Sequence, residues 1–178
     1  MESFGSGLRA KIAIPMPALS EWQTLLAVEA GASATLTGLV FVAVSINMAR
    51  ILETPGLSGR AAESILQFLQ VFFICTVVLV PGQPGAALAV EILVIALFSG
   101  VIQSLGHVRY ARSRLGHPRF WLVTRILQTQ FAAIPFMIAG IVMFFDVSAA
   151  IYWLVPGFVF SFVAGVANAW VLLIEILR

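Results

Sequence analysis

The chain has one cysteine, two histidines and one lysine among its 178 residues, and only 10% of it is charged. Ordinary soluble domains carry about 25% charged residues, so little of this surface is built for water. The lone thiol, Cys75, excludes an intrachain disulfide and a cysteine-based metal site. Its apolar setting (Phe72, Phe73, Ile74, then Thr76, Val77, Val78) marks it as a small packing residue. The two histidines, His107 and His117, stand apart with no carboxylate or thiol cluster beside them, so no metal-ligand spacing exists. There is no glycine-rich phosphate loop and no nucleophile with a neighbouring base. No enzymatic activity and no cofactor are therefore expected. The net charge of +2 and pI near 9.2 come without a long basic run, which excludes nucleic acid as a partner. The stretch 12–17 after Arg9 and Lys11 is short and broken by prolines, so a cleavable signal peptide is not expected either.

What the chain does have is hydrocarbon: 61% hydrophobic residues, gathered in five long runs. The runs cover roughly 22–48, 62–80, 86–106, 120–145 and 149–177. Each is close to the ~20 residues needed to cross a bilayer core. In lipid a backbone must satisfy its own polar groups, so each span is expected to be a helix. The turns between them, Pro81-Gly82-Gln83-Pro84-Gly85 and Asp146-Val147-Ser148, are too short for a soluble domain. The expected fold is all-α: one integral membrane bundle over residues 1–178.

Arginine placement sets the expected orientation. Arg109, Arg112, Arg114 and Arg119 lie between the third and fourth spans, and cytoplasmic loops carry the Lys/Arg excess. Counting outward places Arg50, Arg60 and Arg178 inside as well, and Arg9 and Lys11 outside. The expectation is N-out, C-in, in a bacterial inner membrane. Trp22, Tyr152 and Trp153 would mark the outer interface and Trp121 the inner one. The four loop arginines would also meet anionic lipid headgroups.

In the fifth span Gly157, Ser161, Gly165 and Ala169 recur at every fourth residue, a groove that lets another backbone approach closely. It serves either packing within the chain or a subunit interface. Ala96, Gly100 and Ser104 form a lesser version in the third span, and Pro135 should kink the fourth.

The first span is dense in small and hydroxyl residues from Glu29 to Gly38. At 100° per residue Glu29, Ser33, Leu36, Val40 and Asn47 fall along one line. At 1.5 Å rise its polar ends, Glu29 and Asn47, are about 27 Å apart. A line with polar ends and an apolar middle suits a pore with a hydrophobic constriction. Equally, Glu29 suits a headgroup-level carboxylate and Asn47 a helix cap. Glu91, at the same end as Glu29, is an acidic candidate for an outer mouth or a solvated rim. Arg125, inside the fourth span, either snorkels to phosphates or pairs with Glu175 at the same depth. Gln67, Gln70, Gln103, Gln128, Gln130 and Asn168 should make interhelical hydrogen bonds.

The run Ala34-Thr35-Leu36-Thr37-Gly38-Leu39-Val40-Phe41-Val42-Ala43-Val44-Ser45, with Asn168-Ala169-Trp170-Val171-Leu172-Leu173-Ile174-Glu175 and the Pro81-Gly82-Gln83 turn, resembles a group of uncharacterised, small, multi-span bacterial proteins. Some members carry the automated label of membrane-protease modulator. Over about a dozen residues, Ser33-Ala34, Leu36, Gly38 and Val42-Ala43 also resemble the pore helix of Orai calcium channels. There the selectivity glutamate falls on Ile46, the helix direction is reversed and the span count differs. Taken together, the expectation is a self-associating protein forming an oligomeric ion channel or permeation pathway lined by the first span. The alternative is an accessory or scaffold protein that modulates another membrane protein.

Overall fold

The structure, a computed structural model, describes residues 20–54, 56–113 and 119–177, without the side chains of 112, 113, 119–122, 124 and 175–177. The described residues form six helices: α1 (Gln23–Ile46), α2 (Met48–Glu53), α3 (Leu57–Val78), α4 (Gly85–Ser113), α5 (Arg119–Met143) and α6 (Val147–Leu177). Five of them, all but the short α2, are long and apolar enough to cross a membrane.

The helix ends follow local chemistry. Asn47 closes α1: its backbone N–H and its side-chain Nδ2 both donate to the Ala43 carbonyl. Gly56, at φ +92°, turns the chain into α3 in a conformation that L side chains rarely adopt. Gly82, at φ +73°, does the same between the prolines of the α3–α4 turn. Asp146 caps α6, its Oδ1 accepting from the backbone N–H of Ser148 at 2.9 Å and of Ala149 at 3.2 Å. Pro135 lies inside α5, which continues through it as one helix.

Two boundaries differ from the expectation by more than two residues. α3 begins at Leu57 rather than 62, and α4 runs to Ser113 rather than 106. Hydropathy ends a span where charge begins, whereas a helix ends only where something breaks it. Nothing between Gly106 and Ser113 does so, and Arg is a good helix former. His107 and Arg109 therefore sit on a helix, not in a loop.

Helices α3, α4, α5 and α6 pack as a ring of neighbours in that order, with α6 closing back onto α3, and α1 lies against the outer side of α3. Trp22 and Tyr152 meet edge to face at 5.0 Å, joining the start of α1 to the second turn of α6 at one end. That end carries Glu29, Glu91 and Asp146; the opposite end carries Arg50, Arg60 and Arg109. At the acidic end the core is wholly apolar: Val71, Ile74 and Val78 of α3, Leu88 and Ile92 of α4, Phe136 and Met143 of α5, Leu154 and Phe158 of α6. Toward the arginine-bearing end polar side chains enter the interior, beside a smaller apolar cluster of Ile51, Leu57, Ala61 and Leu172.

The small-residue ladder of α6 is consumed inside the chain. Gly157 lies under the Phe136 ring of α5, and Gly165 under the Phe68 ring of α3. Ser64 donates a hydrogen bond to the Gly165 carbonyl at 3.1 Å, Ser161 is fully buried and Ala169 is half-buried. In α4, Gly100 meets Ala133, and Ser104 accepts from Gln130.

Candidate functional site

Each helix of the four-membered ring contributes polar side chains to one buried cluster. α3 supplies Glu63, α4 His107, α5 Arg125 and Thr129, and α6 Asn168. Arg125 Nη2 pairs with Glu63 Oε2 at 2.9 Å, a bond that crosses the ring from α5 to α3. Arg125 Nη1 donates to Asn168 Oδ1 at 2.7 Å. His107 Nδ1 lies 3.3 Å from the other Glu63 oxygen, and its Nε2 is 3.0 Å from Thr129 Oγ1. Thr129 Oγ1 in turn donates to the carbonyl of Arg125 one turn earlier. A buried carboxylate and guanidinium are tolerable only when paired and further hydrogen-bonded, as these are.

From this cluster a polar seam runs up the α3–α4 contact. Gln67 Nε2 donates to Gln103 Oε1 at 3.0 Å, Gln103 Nε2 to Ser99 Oγ at 2.9 Å, and Ser99 Oγ to Gln70 Oε1 at 2.6 Å. All four side chains are nearly inaccessible. Two atoms of this seam, Gln67 Oε1 and Gln70 Nε2, have no hydrogen-bond partner, a cost of about 1–3 kcal/mol for each buried group that water would relieve. Seven residues of helix separate Glu63 from Gln70, so the polar seam extends about 11 Å along the bundle. Above Gln70 and Ser99 it ends at the apolar core, where Val71, Ile74, Ile92 and Ala96 are fully buried.

At the arginine-bearing end the cluster opens into a cavity of about 390 Å³. Its polar lining is Thr54, Arg60, Glu63, Gln103, His107, Tyr110 and Arg125; Leu57, Leu66, Ile102 and Val171 supply apolar wall. Cavity, charge cluster and seam are thus continuous, with Gln103 belonging to both the cavity wall and the seam.

The residues singled out from sequence fall elsewhere, with partial overlap. On α1, Ser33 is fully buried, and Glu29, Leu36, Val40 and Asn47 are half-buried. Leu36, Val40 and Asn47 border a groove shared with Phe68 of α3 and Val166, Ala169 and Trp170 of α6. Within the chain this line lies on the packing side of α1, and the outward face is Val28, Thr35, Leu39, Val42 and Ile46. The hydroxyls that made the span look water-facing are spent on their own helix. Ser33 donates to the carbonyl of Ala30, Thr35 to Gly31, Thr37 to Ser33 and Ser45 to Phe41. Glu91 accepts from Gln83 Nε2 at 2.5 Å, within its own turn-helix unit.

Arg125 finds its carboxylate in Glu63, a residue the sequence reading passed over; the Glu175 side chain, the partner expected for it, lies outside the described residues. Arg109 is exposed, while residue 114 and the side chains of 112 and 119 also lie outside them, as does the Trp121 ring. Gln67, Gln70, Gln103, Gln130 and Asn168 do bond between helices. A helical reading held the missing signal. Glu63, Gln67 and Gln70 share one face of α3, Ser99, Gln103 and His107 one face of α4, and Arg125 and Thr129 one face of α5. What periodicity could not supply was which face meets which. Among the described residues no group of three or more His, Cys, Asp or Glu side chains could hold a metal ion. No family model, curated protein or solved structure matches this chain.

Proposed function

We propose that this protein is a small permeation or transport protein of a bacterial inner membrane, oriented N-out and C-in, with its pathway inside the ring of α3, α4, α5 and α6. The observation that carries this reading is the continuity of cavity, four-helix charge cluster and glutamine–serine seam. Ionisable groups in a membrane interior are costly, and where they line a cavity they mark ion or solute routes. The 390 Å³ cavity supplies an entrance, the seam a hydrated stretch of about 11 Å. The apolar core of the outer half supplies the gate, since a dry constriction blocks polar solutes by excluding water. The orientation is supported by the described arginines, which gather at the cavity end. On this reading the cavity faces the cytoplasm.

The test is flux into proteoliposomes for a panel of proton, potassium, chloride and acetate. Gln103→Leu and Gln70→Leu should each abolish the wild-type flux by drying the seam, while Leu36→Ser on α1 should leave it unchanged. Unchanged flux in both seam variants, with raised leak in Leu36→Ser, would return the pathway to α1 of an oligomer. A silent wild type would remove permeation altogether.

One observation favours the alternative of an accessory or scaffold protein. α1 is 17% buried over its most apolar window, against 39–50% for the other four spans. Gly31 and Gly38 on it have nothing within 4 Å of where a Cβ would sit. Such a face accepts a close-packed helix, from a second copy or from another membrane protein. A pull-down in mild detergent, compared with Gly31→Leu, tests it.

A further inference from the structure

The cavity carries unequal charge. Its lining holds two guanidinium groups, Arg60 and Arg125, and one carboxylate, Glu63, which is committed to Arg125 and His107. Arg60 is half-buried and makes no ion pair among the described residues. Beside it the first turn of α3 enters the cavity wall through Gly56, Leu57 and Gly59, with no side-chain cap and no acidic residue in that turn. The backbone N–H groups there add positive potential to that of Arg60. The Tyr110 hydroxyl lies over Gly56, where an added Cβ would come within 2.8 Å of it, so this hydroxyl stands at the same mouth. The same cavity also carries apolar lining: Leu57, Leu66, Ile102 and Val171. At about 30 Å³ of liquid volume per water, the cavity has room for roughly a dozen waters, or for a compact organic molecule.

We infer that the cavity binds an oxyanion, carboxylate or phosphate, carried on an apolar body. The anionic group sits between Arg60 and the first turn of α3, and the apolar part lies against Leu66, Ile102 and Val171. Glu63 sets the deep limit: its charge, held by Arg125, keeps the anion at the mouth. This inference rests on reading the cavity as the entrance to the pathway. It names what that entrance selects. The same chemistry comes from a soluble organic acid or from an anionic lipid headgroup with its chain.

Thermal unfolding of the purified protein in mild detergent, followed by tryptophan fluorescence at constant ionic strength, tests the site. The probes are inorganic phosphate, hexanoate, hexyl phosphate, and dihexanoyl phosphatidic acid beside dihexanoyl phosphatidylcholine. A saturable rise in melting temperature is expected with hexanoate and hexyl phosphate, with phosphatidic acid, or with both. Soluble acids acting alone assign the source to a free solute; phosphatidic acid acting alone assigns it to lipid. Arg60→Gln should weaken binding at least about tenfold, the loss of a charge-assisted hydrogen bond. Arg60→Lys should weaken it less, and Arg50→Gln, an exposed arginine at the same end, not at all. Arg60 is half-buried and makes no ion pair among the described residues, so its loss should leave the helical circular dichroism intact. Equal stabilisation by phosphatidylcholine, response to inorganic phosphate alone, no response to any probe, or unaltered binding by Arg60→Gln would each overturn the inference. Binding is measured without a membrane gradient. Flux that persists without binding therefore refutes the oxyanion and leaves the pathway standing, and binding without flux does the reverse.

Discussion

Glu63→Gln is the sharpest perturbation of the bundle. The amide has the shape of the carboxylate but no charge, so it leaves Arg125 ionised, buried and facing a neutral group. The Glu63 and Arg125 side chains are 13% and 10% exposed, and their pair is 2.9 Å long. An exposed ion pair contributes about 0–1 kcal/mol. Removing one partner of a buried pair costs about 3–5 kcal/mol, since the other charge stays desolvated. The cavity beside this pair admits water, which sets the expected loss near the lower end, about 3 kcal/mol. That is roughly a 150-fold shift in the folding equilibrium. Arg125→Gln should cost about as much, for the reciprocal reason. In the double variant neither charge is left stranded, so its loss should stay near that of one single variant. The coupling energy would then be about 2–3 kcal/mol. Steric trapping in bicelles, which reads unfolding in a lipid environment, gives the three values. Losses below about 1 kcal/mol for the single variants, or strict additivity in the double, would show that the pair behaves as a surface contact, and the buried cluster would not hold the bundle together.

Two further predictions use thiol chemistry and steric volume. In a background lacking Cys75, a cysteine at Gln83 should react with an impermeant external reagent in intact cells, and one at Ser113 should not; the reverse pattern would invert the orientation. Gly165→Leu should unfold the protein or lower its stability by at least about 3 kcal/mol, because the added atoms would occupy the space of the Phe68 ring. Val163→Leu, on the exposed side of the same helix, should be nearly silent. Equal tolerance of the two in the same unfolding assay would show that the α6 ladder is not a packing face.

The helical, membrane-spanning character of the chain was legible in the sequence because it depends on one-dimensional quantities. Run length against bilayer thickness, proline and glycine in the turns, and arginine distribution need no knowledge of neighbours. The small-residue ladder of α6 was legible for the same reason, since its repeat lies within one helix. Its partners, Phe136 and Phe68, come from helices that no repeat names. The candidate site was divided between the two levels. Arg125 stands out as a charge in a span, but no spacing in the sequence connects it to Glu63. Glu63 and His107 sat near span edges, where hydropathy treats a charge as solvated. Only the ring of four helices brings Glu63, His107, Arg125 and Asn168 to one point, and that turns edge charges into buried ones. The line on α1 shows the converse. Its hydroxyls looked available for water until the helix geometry bonded them to their own backbone and turned Ser33 inward. Sequence alone determined the solvent, the spans and the expected orientation, because each is a property of one segment. Tertiary structure decided which polar groups share an interior, because burial is a property of several helices at once.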